Sequence, residues 1–173
     1  MIPLAMLLAV SVAAPGQRAD VTQEIRSRLS TAEQAFQSGR NQEARGLFEE
    51  AATGARSLGE TNLLLARAID RLADLDRIEG RTEQAEAGYL RSAAMWPALL
   101  GAGQPRLATT LHNLGVVYLE QDRLDDAERV LGEALGIWDA TLGADSAEAA
   151  NTRTALDNIG VRRILSMDPR GID

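Results

Sequence analysis

Residues 111–138 read LHNLGVVYLEQDRLDDAERVLGEALGIW, and the fold can be predicted from this segment. Small and apolar residues recur at helical spacing in two runs, which the polar residues 121–123 separate. The same pattern stands 42 residues earlier, where Trp96 falls on Trp138. The match is informative because the chain has only two tryptophans. The sequence is therefore an array of internal repeats, each of which reads as two helices joined by a short turn.

The repeat predicts three helical hairpins followed by a single closing helix. A tight turn inside each hairpin is expected at Gly39, Gly80 and Asp122, because glycine tolerates left-handed backbone and aspartate is the next best choice. One hairpin cannot bury its apolar face alone, so the units must stack. We expect a domain of residues 20–166, with units at about 20–58, 59–101 and 102–144 and a capping helix at 145–166. Its helices are predicted at 20–38, 41–57, 61–79, 82–97, 105–121, 124–141 and 146–165.

The closing helix has a start signal of its own. Asp145 and Glu148 have the spacing of a capping box. A polar outer face, which a terminal cap requires, is expected from Arg153, Asp157, Arg162 and Arg163. Residues 167–173 are expected to form a flexible tail.

This repeat resembles that of the tetratricopeptide repeat (TPR) family, specifically its long-period branch typified by kinesin light chains. The likeness extends from about Asp20 to about Leu165 and is strongest in the third unit. Arg28, Thr31 and Asp76 depart from it, since the family has apolar or aromatic residues at those places. The resemblance implies an all-α fold, a right-handed α-solenoid of about three hairpins plus a C-terminal capping helix. It also implies a protein-binding scaffold rather than an enzyme.

In that family the first helices of successive units line a concave surface, so the resemblance implies a groove there for an extended peptide or a partner protein. Asn113 is the most specific expected contact, because the family often uses Asn at this place to hold the backbone of a bound peptide. A hydrogen bond to a neighbouring helix is the alternative role for Asn113. The arginines of the groove suit an acidic segment or a C-terminal carboxylate. The expected groove residues are Arg67, Asp70, Arg71, Asp74, Thr109, His112, Asn113, Val116, Glu120, Asn151, Thr154, Asn158 and Arg162.

Two other functions compete with the groove. The chain is a homo-oligomer in the first, assembled through the ends of the solenoid or through Trp96 and Trp138. In the second it binds a small molecule, although no motif supports this role. The fold alone does not choose among them, because function lies in the site.

The composition argues against several other classes of function. The net charge is −7 and the sequence pI is about 4.8, whereas a general nucleic-acid binder needs a basic face. The chain has no cysteine, which excludes disulfides and thiolate metal sites. Alanine and leucine, which favour closely packed helices, supply most of its apolar content.

No enzyme motif is present. His112 is the only histidine, which leaves little basis for a catalytic triad or a histidine-rich metal site. Asp122, Asp125 and Asp126 lack the glycine and the distant glutamate of a calcium loop. Asp70 and Asp74 share a helix with several arginines, which predicts a ladder of ion pairs along that helix. We therefore expect no catalytic residue, metal or cofactor.

The first residues form a separate unit. Residues 2–12 are an uninterrupted run of apolar or small residues, and small residues follow before Pro15 and Gly16, which are expected to end any helix. Residues 1–19 therefore predict a secretory signal peptide and an exported, periplasmic or extracellular protein. The alternative is a buried N-terminal helix. No other segment is long enough to span a membrane, so no span is expected after cleavage.

Overall fold

A computed structural model describes residues 15–167, and within that range every regular element is a helix. The all-α solenoid predicted from the sequence is thus confirmed. All helix boundaries except the start of α1 and the end of α4 lie within two residues of the prediction. The helices are α1 (Pro15–Gln37), α2 (Asn41–Arg56), α3 (Leu63–Ile78), α4 (Thr82–Leu100), α5 (Pro105–Glu120), α6 (Leu124–Thr141) and α7 (Ala147–Met167).

The start of α1 corrects the sequence analysis. Pro15 and Gly16 were expected to end any helix, but both lie within α1, which is described from Pro15 onward. The φ of proline is fixed near the helical value, so its own backbone suits a helix. Residues 1–14, which hold most of the expected signal peptide, lie outside the described residues. Residues 168–173 of the expected tail do so as well.

The turns inside the three hairpins form as predicted. Gly39 and Gly80 have φ values of 73° and 74°, and Asp122 takes the same conformation with a φ of 58°. Asp122 is the only residue other than glycine with a positive φ within residues 15–167. The three turns therefore share the same left-handed backbone conformation, although the third has an aspartate in place of glycine.

Successive hairpins stack through adjacent helices, and the stack curves. The first helices α1, α3, α5 and α7 contact one another in succession, whereas the second helices α2, α4 and α6 make no such contacts in the described part of the chain. Because the first helices lie closer together, they form the inner, concave side of the stack. The second helices form its outer, convex side.

Small residues let the two helices of a hairpin approach closely. A Cβ atom added at Gly115 would lie 2.5 Å from Cγ of Leu131, which is fully buried. One unit earlier the roles of the helices are exchanged, since a Cβ atom added at Gly88 of α4 would lie 2.8 Å from Cβ of Ala73. The long side chains of Phe48, Tyr89 and Leu131 are fully buried at matching places in the three units.

The start of α7 differs from the capping box expected at Asp145. Ser146 caps the helix instead, because its Oγ accepts a hydrogen bond from the N–H of Ala149 at 3.3 Å. A serine at this position satisfies one of the unpaired N–H groups of the first turn. The box assignment fails because α7 begins two residues later than Asp145.

The arginines of α7 do not form the outer face that was expected of them. Arg153 donates to Asp139, Arg162 donates to the carbonyl of Leu119, and Arg163 pairs with Asp125 and Glu128. They anchor the capping helix to the third unit because carboxylates and free carbonyls lie on that side. Val161, Ile164 and Leu165 of α7 are more than half exposed instead. No helix within residues 15–167 is long and apolar enough to cross a membrane.

Candidate functional site

The concave surface carries the side chains that were expected to bind a partner. They come from α3, α5 and α7, the first helices of successive units. Two small cavities lie along this surface, one between the second and third units and the other between the third unit and α7. Most of the expected groove residues line one cavity or the other.

The first cavity has a volume of about 130 Å³ and lies between α3 and α5. Four of its residues come from α3 and four from α5. The α3 residues stand at positions i, i+3, i+4 and i+7, so one face of that helix supplies all of them. Its lining residues are Arg67, Asp70, Arg71, Asp74, Arg106, Thr109, Thr110 and Asn113.

Asp70 is at the centre of a hydrogen-bond network beneath this cavity. Its carboxylate accepts from Ser92 Oγ at 2.5 Å, from Thr110 Oγ1 at 3.0 Å and from Trp96 Nε1 at 3.2 Å. Burial raises the pKa of Asp70 to about 6; the hydrogen bonds from Ser92 and Thr110 oppose the shift, and the charge of Asp74 adds to it. The carboxylate therefore joins α3, α4 and α5 rather than entering the expected ladder of ion pairs.

Asp74 is the second buried carboxylate of the cavity, and only 8% of the residue is exposed. It accepts from Tyr89 Oη at 2.6 Å, from Arg71 at 2.8 Å and from Asn113 Nδ2 at 3.0 Å. Asn113 therefore makes the hydrogen bond to a neighbouring helix that was its alternative role. This contact holds its amide at the edge of the cavity.

Glu33 of α1 extends the network toward the first unit. Its Oε1 accepts from Arg71 at 2.9 Å and from Arg67 at 3.0 Å. Burial would raise the pKa of Glu33, but the hydrogen bonds and charges of Arg71 and Arg67 outweigh it and lower the pKa. These contacts fix both arginines on the concave surface.

Arg106 is the arginine of the first cavity that remains available. It is exposed and forms no ion pair within 4 Å with any residue in the range 15–167. Its guanidinium lies 5.9 Å from the ring centre of Trp96, where the ring attracts the cation weakly. Arg106 was not among the expected groove residues, which on α5 began at Thr109.

The second cavity has a volume of about 260 Å³. His112 lies at its base, and its Nδ1 is 3.0 Å from Oγ1 of Thr152 in α7. Burial, together with the nearby charge of Arg77, lowers the pKa of His112, so the ring is neutral near pH 7. The lining residues are Thr109, His112, Trp138, Glu148, Asn151 and Thr152.

The remaining expected residues lie on the same helices but outside both cavities. Glu120 is exposed and accepts from Arg77 at 3.3 Å, and Val116 is half-buried. Thr154 donates to the carbonyl of Ala150, and Asn158 is exposed. Arg162 is engaged with the carbonyl of Leu119 at 2.6 Å. The structure thus gathers about two thirds of the expected set into the two cavities.

Three charged residues that shape the cavities were absent from the expected set: Arg106, Glu148 and Glu33. Arg106 and Glu148 stand 42 residues apart, which is the repeat period. Aligning α5 with α7 in full would have revealed both. Glu33 carries no such signal, since its role depends on how closely α1 approaches α3.

The sequence profile of the tetratricopeptide repeat family matches residues 65–140 and 106–156, which together span more than half of the chain. The fold is similar to BtubC (BKLC) from P. vanneervenii, with a TM-score of 0.68, 19% identity, and coverage of 87% of this chain and 68% of that chain. It is also similar to a putative kinesin light chain of Podosopora anserina with nearly identical TPR-like repeats, with a TM-score of 0.68, 17% identity, and coverage of 87% of this chain and 77% of that chain. No curated protein matches the sequence significantly.

Proposed function

Because the chain belongs to the tetratricopeptide repeat family, whose repeats generally mediate protein–protein interaction, we propose that it binds an extended segment of a protein partner along its concave surface. The observation that carries this proposal is the cluster of three arginines around the first cavity: Arg67, Arg71 and Arg106. An extended segment has unpaired backbone groups, and the polar side chains along α3 and α5 offer partners for them.

The first cavity favours an acidic group on the partner. Asp70 and Asp74 lie beneath the arginines and are occupied by hydrogen bonds from within the chain. The exposed side chain of Arg106 is therefore free to pair with a carboxylate, which it can hold through two parallel hydrogen bonds. Arg67 and Arg71 add positive charge beside it, although Glu33 neutralises part of that charge.

Selection from a displayed library of random peptides tests this proposal. The wild-type chain is expected to enrich peptides that contain Asp or Glu, and Arg106→Ala is expected to weaken the best of them about tenfold or more. Arg129→Ala is the matched control, since Arg129 is an exposed arginine of α6 on the convex side. Arg71 and Asn113 are poor choices for substitution because both hold Asp74.

The proposal fails if the selected peptides bind Arg106→Ala and the wild type equally well. It also fails if Arg129→Ala abolishes binding, because the contact would then lie on the convex side. High salt should weaken binding of the acidic peptides, as for any contact between exposed charges.

Self-association is a second candidate, and one observation favours it. Val161, Ile164 and Leu165 lie close together on α7 and are 54%, 69% and 72% exposed. Apolar side chains grouped on one surface often mark an interaction site. Sedimentation equilibrium over a hundredfold range of concentration should show a mass that rises in the wild type and stays monomeric in Leu165→Ser. Trp96 and Trp138 do not serve this role, because both are buried.

We also propose that the chain acts as a non-enzymatic scaffold after export. Three observations support export: the apolar run at residues 2–12, the small residues that follow, and the first charged side chain only at Arg18. Intact mass of the protein recovered from its source should place a new N-terminus between residues 13 and 19. A mass that retains residues 1–12 would contradict export by this route.

A further inference from the structure

The second cavity is the first cavity repeated one unit later. Residues of the first cavity have counterparts 42 positions on, and these counterparts line the second cavity. The pairs are Arg67 and Thr109, Asp70 and His112, Arg106 and Glu148, Thr109 and Asn151, and Thr110 and Thr152. A carboxylate has become an imidazole, and an arginine has become a glutamate. The two cavities therefore share their position in the repeat but differ in chemistry.

The two tryptophans show the difference most clearly. Trp96 Nε1 donates to Thr110 Oγ1 at 3.0 Å and to Asp70 at 3.2 Å. Trp138 occupies the same place one unit later and is only 4% exposed, yet its Nε1 has no hydrogen-bond partner within the described residues. A buried N–H without an acceptor is destabilising. Trp138 lines the second cavity, so its indole N–H is a donor for a group bound there.

Among residues 15–167 no neighbour of Trp138 lies where it accepts this hydrogen bond, whereas Thr110 and Asp70 do so for Trp96. Thr152, the counterpart of Thr110, lies 2.8 Å from the carbonyl oxygen of Glu148 and 3.0 Å from Nδ1 of His112 through its Oγ1. The other ring nitrogen of His112, Nε2, is left for a group bound in the cavity. The carboxylate of Glu148 is a further acceptor, since it forms no ion pair within 4 Å across residues 15–167.

These groups define what the cavity can hold. It offers one buried donor, Trp138 Nε1, one acceptor, the carboxylate of Glu148, and Nε2 of His112, which donates or accepts according to the tautomer of the ring. A primary amide matches this set, because its oxygen accepts and its NH₂ group donates twice. A carboxylate would meet the negative charge of Glu148, and an ammonium group would bring no acceptor for the indole. We propose that the second cavity receives the side-chain amide of an Asn or Gln residue of the bound partner.

The size of the cavity agrees with a single side chain. Sites for small molecules usually have volumes of about 300–1,000 Å³, and this cavity has about 260 Å³. The proposal rests on the concave surface being the partner-binding surface. A partner segment would then place an acidic group in the first cavity and an amide group in the second, one repeat further along the concave surface.

The two-tryptophan composition gives a direct test by NMR. The ¹⁵N-labelled chain has two indole N–H signals, and Trp138→Phe identifies the one from Trp138. Titration with propionamide, which carries the amide of a Gln side chain, should shift the Trp138 signal saturably and leave the Trp96 signal unchanged. Sodium propionate and ethylammonium chloride at the same concentrations should not shift either signal.

Substitution of Glu148 sharpens the test. Glu148→Arg places at this position the residue type that stands at position 106, so propionate should bind the variant at least tenfold more tightly than it binds the wild type. In Trp138→Phe, propionamide binding followed at the backbone N–H of Thr152 should weaken about fivefold or more.

Two results would overturn the proposal. One is an indole signal of Trp138 that does not respond to propionamide, as in a site that holds only water. The other is an equal response to propionate in the wild type. Neither result bears on Arg106, so selection of acidic peptides at the first cavity would still decide the proposed function separately.

Discussion

Asp76 and Tyr118 occupy the same place in successive repeats, and each meets the arginine that follows five residues later. Arg81 Nε donates to Asp76 at 2.9 Å, whereas Arg123 stacks over the ring of Tyr118 at 4.2 Å. The aspartate, which departs from the family pattern, is accommodated because Arg45 of α2 also donates to it at 2.9 Å. Each arginine at this turn therefore finds a partner suited to it.

These contacts of Asp76 form the first junction, between the first and second units; the contacts of Tyr118 form the second junction, between the second and third units. In the second junction the position that matches Arg45 is occupied by a residue of opposite charge, Glu86, whose carboxylate accepts from Arg123 at 2.8 Å. An arginine, Arg45, thus accompanies Asp76 in the first junction, and a glutamate, Glu86, accompanies Tyr118 in the second. The two junctions are alternative solutions to the same packing problem.

We predict that Asp76→Tyr destabilises the protein and that a second change restores it. The single variant removes the carboxylate shared by Arg45, whose side chain is only 18% exposed, and Arg81, and leaves only Glu79 to pair with them. The loss of stability should be on the order of 2 kcal/mol. The double variant Arg45→Glu, Asp76→Tyr introduces the residues of the second junction at both positions, and in a Glu79→Gln background, which matches Gln121, it should recover most of the loss. Urea unfolding of the four proteins of this cycle measures the coupling. Additive losses would show that the two positions act independently.

Gly115→Ala should lower the free energy of unfolding by about 2 kcal/mol, because the new methyl group overlaps the buried side chain of Leu131. Gly132→Ala is the matched control on the partner helix, where a Cβ atom meets nothing within 4 Å. It should raise the free energy of unfolding by up to about 1 kcal/mol, since alanine favours the helix. Thermal unfolding separates the two outcomes. A stabilised Gly115→Ala would mean that α5 and α6 can move apart freely.

Asp122→Gly should stabilise the protein by about 1 kcal/mol, because the aspartate holds a left-handed backbone conformation that glycine adopts without strain. The reverse change, Gly80→Asp, should cost about the same amount at the equivalent turn. Chemical denaturation of both variants checks the prediction. Equal stability of all three proteins would indicate that the turn is relaxed with either residue.

Asp70 makes stability depend on pH in a direction opposite to that of most carboxylates. Its folded pKa of about 6 lies above the unfolded value, so the folded protein binds the proton more tightly. The contribution of Asp70 to stability is therefore fully present below about pH 4 and is lost as pH rises through 6, by about 3 kcal/mol in total.

The comparison with Asp70→Asn isolates this effect. The difference in unfolding free energy, wild type minus variant, should fall between pH 4 and pH 7 when each is followed by urea unfolding at a series of pH values. A difference that stays constant or rises over this range would show that the carboxylate is ionised throughout in the folded state.

The sequence predicted the helices well because their order follows from a repeat that occurs three times. Local chemistry at two places was harder to predict. Pro15 and Gly16 are helical although this residue pair suggests a break, and Ser146 takes the cap that the spacing of Asp145 and Glu148 indicated. In both places two local signals compete, and the sequence alone does not rank them.

The sequence predicted which helices form the site, but it did not predict the hydrogen bonds between their side chains. The concave helices and most of the lining residues were identified, since the repeat places them on one face. The partners of Asp70 could not be, because Ser92, Trp96 and Thr110 approach it only when three helices pack together. Trp96 and Trp138 are identical residues at matching positions, so the difference in their hydrogen bonding became visible only once the residues around them were placed.

In the described part of the chain, helices contact only the next helix or the one after it, and nothing ties the first unit to the last. Such a stack transmits force in series, like links joined end to end, since each interface supports only its own neighbours. Pulled at its two ends, the protein should therefore extend in separate steps, one hairpin at a time. A partner segment bound in both cavities would connect the second unit, the third unit and α7. Separating those units would then require more force.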